Sequence, residues 1–404
     1  MKILFVLSAF PFPPKIGRDI VAFNNIRILA QRHQVHLVCN SFRLNLSQDE
    51  RFADFVYHAP DKTPEPMSLP LHAVSNVMRG LPTLIYQARW VTKKIREIDK
   101  IEKFDAILSY GFSTTLDCPK ELRYKLIANI EDPQFLKLTR MRALPLCTSW
   151  DKIKLTILLL SMKRFEQKMF PSIGNVALLS EADIIDIQTM LHYQNLCFVP
   201  YGVERADDSL IAQKTTREDG MIIISGNMFY LPNVEGVLFF ISQVFPKVLA
   251  QYPRAKLWIV GADPKPSIRT IASRFSNNVI ITGRVDNVSD YLRRAMVSVC
   301  PVRLKIGVQT KILEALSSGT PVVTTTAGNS GIQAVHGRDL WIEDDPVAFA
   351  NKVVKLLKGD GWEQLSNTGL NFVRTHFSWE KSANTLEKHI IVLRESNVSS
   401  NSNG

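Results

Sequence analysis

Val297-Ser-Val-Cys-Pro-Val-Arg-Leu-Lys-Ile-Gly-Val-Gln-Thr-Lys-Ile-Leu-Glu-Ala-Leu-Ser-Ser-Gly-Thr-Pro-Val-Val-Thr-Thr325 is the stretch on which the reading of this chain turns. Val297–Pro301 has the apolar, β-branched character of a short buried strand, and Val322–Thr325 repeats it. Between them Gln309–Ser318 reads as one helix, closed by Gly319 where left-handed backbone is wanted. Strand, glycine-bearing loop, helix and strand make the unit of a parallel sheet covered by helices. Such sheets take ligands at the carboxyl ends of their strands, where this loop must lie.

Charge sharpens the reading. Lys311 falls in the first helical turn, where the macrodipole disfavours a cation. It makes sense there if an anion is also held, by the N–H groups of Val308, Gln309 and Thr310. Glu314, three residues on, shares a face with Lys311 and is placed to accept hydrogen bonds from ribose hydroxyls. The same spacing equally describes a solvated helical ion pair, and the residues alone leave both readings open.

Gly307, Lys311, Glu314-Ala315, Gly319 and Pro321-Val322-Val323 resemble the donor-site signature of the retaining glycosyltransferases of family 4. The usual pattern there has two glutamates seven residues apart. Glu314 matches the second, whereas Ile306 stands at the first. The branch reading glycine, lysine, then Leu-Glu-Ala is the better fit, and it includes sugar transferases of exopolysaccharide systems. The resemblance implies an α/β chain of the GT-B fold, two Rossmann-like domains with parallel sheets facing across an interdomain cleft. It also implies a nucleoside diphosphate sugar as co-substrate, with no cofactor and no metal.

Length and composition are compatible with that. The 404 residues suit two domains, and a 46% hydrophobic share suffices for a core in each. No apolar run approaches the ~20 residues of a membrane span. The N-terminus lacks a cleavage site and reads as a first strand. Five scattered cysteines (Cys39, Cys118, Cys147, Cys197, Cys300), odd in number and without CxxC spacing, argue against a disulfide framework or a zinc site and for the cytosol. A net charge of +11 and a pI near 9.4 imply anionic partners such as a sugar nucleotide or an anionic membrane face. No nucleic-acid module is recognisable.

In chain order, residues 1–200 are expected to form the acceptor-side domain, 201–220 a linker and 221–376 the donor domain. A helix over 377–395 would cross back to the first domain, and 396–404 would be a disordered tail. Lys15, Gly17 and Arg18, in the loop after the first strand, are candidates for donor phosphate or acceptor, or for a plain turn. Pro60–Pro70 is irregular, and Gly80–Tyr86 resembles a segment that shapes the acceptor side. Glu131 and Asp132 align with a His-Asp pair of related enzymes and would orient the donor sugar or the attacking hydroxyl. A helix N-cap is the alternative for Asp132. Ser149–Phe170 carries an apolar stripe of Leu155, Leu158, Met162, Phe165 and Met169 beside Lys152, Lys154, Lys163, Arg164 and Lys168. It reads either as a helix packed on the first sheet or as one lying on an anionic membrane. Gly226, Asn227 and Asn233 resemble the Gly…Pro-Asn segment of the same branch, without the basic pair many relatives use to hold the diphosphate. That demand then falls on Lys311, Arg303 or Lys305. Arg284 and Val285 resemble the nucleobase wall.

The expected activity is transfer of a sugar to an acceptor hydroxyl, with retention, in polysaccharide or glycoconjugate synthesis. The acceptor would be a saccharide or lipid-linked, and the place cytoplasmic, with room for a seat on the inner face of the membrane. A sugar-nucleotide epimerase and an inactive GT-B scaffold are the alternatives.

Overall fold

The computed structural model describes residues 1–12, 14, 17–40, 53–58, 87–144, 147–204 and 217–402. The chain divides into two compact units. Residues 1–143, 147–202 and 379–404 form one, and 144–146 with 203–378 form the other. Pro60–Pro70, Gly80–Tyr86 and Lys15 lie outside the described residues.

The first unit holds seven parallel strands: β1 (Lys2–Leu7), β2 (Gln34–Cys39), β3 (Phe55–His58), β4 (Ala106–Tyr110), β5 (Leu126–Asn129), β6 (Asn175–Leu178) and β7 (Leu196–Phe198). Their order is β3-β2-β1-β4-β5-β6-β7. β1 and β4 are apolar almost throughout, because a parallel strand is covered by helices on both faces. The second unit has six: β8 (Glu218–Ser225), β9 (Lys256–Val260), β10 (Val279–Gly283), β11 (Ala295–Cys300), β12 (Val322–Thr324) and β13 (Trp341–Ile342). Their order, β10-β9-β8-β11-β12-β13, is the doubly wound Rossmann order. In each sheet the order reverses once, between β1 and β4 and between β8 and β11, and the crevice at that switch is where such folds bind.

The strands β3 and β13 leave no mark in the sequence pattern. β3 is a four-residue edge strand and β13 has two residues, too short for period to register. The helix Leu231–Phe239 continues through a π-turn, Phe240–Val244, into Phe245–Gln251. Leu231–Gln251 is long and apolar enough to cross a membrane, and 61% of its most apolar window is buried in this unit. Phe240 packs edge to face on Phe349 and at a tilt on Phe245, all three fully buried, so core burial accounts for its composition.

The last helix, Trp379–Ser402, runs on through the Ser- and Asn-rich stretch expected to be a disordered tail. Asn397 donates its side-chain amide to the Tyr124 carbonyl at 3.1 Å, and Ser396 bonds back to the Val392 carbonyl. The tertiary bond from Asn397 offsets part of the weak helix propensity of the segment. Earlier in the helix, Glu387 accepts from Arg32 at 2.9 Å and lies 2.8 Å from a His33 ring nitrogen.

Candidate functional site

In the second unit the carboxyl end of β8 is built around two glycines. Gly226 has φ +140° and Gly261, ending β9, has φ +154°. A Cβ on Gly261 would sit 1.7 Å from the Gly226 carbonyl oxygen. Only glycine lets these two strand ends close up. A Cβ on Gly226 would lie 2.9 Å from the Asn233 amide nitrogen and 3.5 Å from the Lys311 ammonium. The turn 226–233 is tied internally: Asn227 Oδ1 accepts from the Phe229 amide at 2.8 Å, and Asn233 Nδ2 donates to the Asn227 carbonyl at 2.9 Å. Asn233 Oδ1 thereby faces Lys311 and accepts from its ammonium.

The helix expected over Gln309–Ser318 spans Thr310–Ser317. It ends in a Schellman turn: Thr320 N donates to Ala315 O at 2.9 Å, Gly319 N to Leu316 O at 3.0 Å, and Gly319 has φ +65°. Lys311 and Glu314 form no ion pair with each other, so the solvated-pair reading is not what the structure shows. Glu314 is partly buried, and no described residue donates to its carboxylate. Desolvation pushes it above the ordinary carboxylate range, with Lys311 pulling the other way. Of the three amides assigned to an anion, Thr310 N–H is occupied, donating to Val308 O at 3.1 Å. Gln309 turns its side-chain amide onto the Ile306 carbonyl at 2.9 Å. Ile306, where relatives have the first glutamate, is buried.

Arg303 is committed elsewhere. Its Nε donates to the buried Glu235 at 2.8 Å and its guanidinium stacks 4.6 Å over Phe239, whereas the Lys311 ammonium lies beside Gly226. Lys305 is half-buried, Arg284 is exposed and Val285 is partly exposed beside it. Gly307 closes the loop from the other side, its carbonyl 2.0 Å from where a Cβ on Gly331 would be.

One residue outside every expectation holds this element. Arg217, placed in the linker by sequence, is 7% exposed. Its guanidinium donates to the carbonyls of Leu292 (3.0 Å), Ala295 (2.8 Å), Ser318 (3.0 Å) and Gly319 (3.0 Å) and to Thr320 Oγ1 (2.7 Å). It places a cation at the C-terminus of the Thr310–Ser317 helix, where the dipole favours one. Burial lowers its pKa to about 10.

In the first unit, Arg18 lies in the first turn of the Gly17–Leu29 helix and crosses Gly111 at the end of β4. A Cβ on Gly111 would meet its Nη1 at 2.5 Å. Leu7, Ser8, Arg18, Asp19 and Tyr110 line a shallow surface depression there. Glu131, just past β5, has φ +56°, a region a non-glycine residue rarely enters, and its Oε1 is buried without a partner. Desolvation raises its pKa, and Arg18 is the first of the groups opposing that. Asp132 is likewise raised by desolvation and lies 3.5 Å from the Lys137 ammonium. The N-cap alternative for Asp132 is not realised. The following helix, Gln134–Arg142, starts after Pro133 with no side-chain cap, and Glu166 of the Ser149–Met169 helix accepts from the Phe135 amide at 3.1 Å instead. Glu166 is fully buried, and its pKa rises to about 8. Among the described residues no group of three His, Cys, Asp or Glu side chains is arranged to hold a metal.

Residues 219–359 match the family model described as Glycosyl transferases group 1. An uncharacterised 44.6 kDa protein from the cps region of Klebsiella pneumoniae is 24% identical over 176 residues, which cover 41% of this chain and 45% of that protein. The match therefore spans less than half the length of that relative. Among solved structures, sucrose-phosphate synthase from Thermosynechococcus elongatus superposes with a TM-score of 0.69 at 15% identity, covering 98% of this chain and 99% of its own. WaaG, a glycosyltransferase involved in lipopolysaccharide biosynthesis, gives 0.60 at 15% identity, covering 95% and 98%. Anabaena Alr3699/HepE in complex with UDP-glucose gives 0.62 at 12% identity, covering 97% and 100%. The chain has the GT-B fold of these proteins, and the unit that holds Gly226, Asn233, Lys311 and Glu314 carries its match to the glycosyl transferases of group 1.

Proposed function

We propose that this chain is a retaining glycosyltransferase of the family 4 kind, moving a hexose-type sugar from a nucleoside diphosphate sugar to an acceptor hydroxyl. The observation that carries the reading is Lys311, whose ammonium sits beside Gly226 at the β8–β11 switch with the uncommitted carboxylate of Glu314 one turn behind. In the reaction the bond from the anomeric carbon to the diphosphate oxygen breaks and the acceptor oxygen takes its place. Negative charge collects on the departing diphosphate, and a fixed ammonium stabilises it without reorganisation. Glu314 accepts the ribose hydroxyls. Glu131 and Asp132 are assigned to orienting the donor sugar or the attacking hydroxyl, and desolvation raises both above the ordinary carboxylate range. No metal is assigned a role. The relative from a cps region and the fold shared with HepE bound to UDP-glucose support a part in polysaccharide or glycoconjugate synthesis.

Thermal stability with and without UDP, GDP and ADP tests this, in wild type and Lys311→Ala. A ligand present at a hundred times its Kd stabilises by about 2.7 kcal/mol. A shift with one nucleotide, lost in the variant, identifies the base. No shift with any of them moves the inactive scaffold to first place. Product analysis with the matching nucleotide sugar, with and without acceptor, separates transfer from epimerisation.

A further inference from the structure

The apolar stripe of the Ser149–Met169 helix read from sequence is its core face. Met162, Phe165 and Met169 are buried, and Leu155, Leu158 and Leu159 pack against the same cluster. The opposite face bears a second stripe. Trp150 is 73% exposed, Ile153 51%, Ile157 67% and Leu160 51%. Their spacing of three, four and three residues keeps them on one side of a helix with 3.6 residues per turn. Arg164 and Lys168 continue that side toward the C-terminus. Lys154 borders it on one flank, Lys152 and Lys163 on the other. Four large apolar side chains in a row on a solvent face have no folding reason, since each forfeits its burial. The helix is firmly made all the same: Thr148 and Asp151 close a full capping box at its start, and Glu166 bonds it to the next helix.

We propose that this face is a docking surface for an anionic lipid bilayer, on which the first half of the helix lies with its apolar side chains in the acyl boundary. Charge complementarity selects that occupant. The stripe is bracketed by cations on a chain of net charge +11, and surface binding combines buried apolar area with attraction to anionic headgroups. The proposal does not rest on the transferase reading.

The test is co-sedimentation of the full chain with vesicles of phosphatidylcholine alone and of phosphatidylcholine with phosphatidylglycerol. Wild type should bind the anionic vesicles, weaken as salt rises, and stay off the neutral ones. The double variants Ile153→Ser/Ile157→Ser and Lys152→Gln/Lys154→Gln should each bind about tenfold more weakly or worse. All four positions are exposed, so an unchanged Tm checks the fold. A blue shift of tryptophan emission on anionic vesicles, missing in Trp150→Phe, places the stripe in the lipid. Failure of wild type to sediment, or equal binding by the variants, overturns the proposal. So does a protein dimer that Ile153→Ser/Ile157→Ser dissolves without any loss of vesicle binding. The nucleotide-induced Tm shift should survive in the isoleucine variant, which keeps this outcome separate from that of the donor site.

Discussion

At the residue scale, the donor-side site depends on a chain of small contacts. Gly226 leaves room for Asn233, and Asn233 holds the Lys311 ammonium. Gly226→Ala puts a methyl 2.9 Å from the Asn233 amide on backbone at φ +140°. The expected result is about 1–3 kcal/mol of lost stability together with a nucleotide-induced Tm shift that is reduced or gone. Asn233→Ala should weaken the nucleotide shift with little change in apo stability, since Lys311 then has no fixed direction. Glu166 offers a pH experiment. Its carboxyl titrates near 8 in the folded chain against an ordinary 4.5, so the fold holds that proton more tightly than the unfolded chain does. Its contribution is complete below about 4.5 and lost as pH rises through about 8. Glu166→Gln keeps an oxygen for the Phe135 amide and removes the ionisation. Denaturant unfolding across this window should show a shallower loss of stability than in wild type. Some loss should remain, because Asp117, raised from 3.8 to about 8, acts in the same direction.

At the scale of the element, the Thr310–Ser317 helix was legible because every local choice agrees: apolar strand before, glycine in the loop, a helical apolar face, glycine at the end. What fixes its far end was not. Arg217 is distant in sequence and stands in a polar run, and an arginine there reads as surface until the fold buries it under four carbonyls. Arg217→Met should cost about 3 kcal/mol or more by leaving those acceptors unpaired, read as a lower unfolding midpoint. The basic helix Ser149–Met169 shows a different limit. Periodicity identified the stripe that faces the core. Trp150, Ile153, Ile157 and Leu160 went unnoticed because two apolar faces on one helix blur into an all-round apolar composition.

At the scale of the molecule, the chain leaves the first unit at Gly202 and returns at Trp379. A Cβ on Gly202 would lie 2.3 Å from the Trp379 ring, and Tyr201 packs against it with centroids 5.2 Å apart. A chain ending at Ser378 should therefore destabilise the unit of residues 1–143 and 147–202 selectively. In calorimetry its transition should move down while that of the second unit stays.

The sequence by itself determined the two parallel sheets and the strand–loop–helix that carries Lys311 and Glu314. Strand alternation, glycine placement and helix periodicity are local and act at short range. Tertiary structure alone decided that Arg303 belongs to Glu235 and that Glu166 caps the helix after Glu131 and Asp132. It also decided that Arg217 anchors the donor-side helix and that the tail is helical to Ser402. Each of those depends on groups brought together from distant parts of the chain, and desolvation, which sets their charges and strengths, exists only once the fold has closed around them.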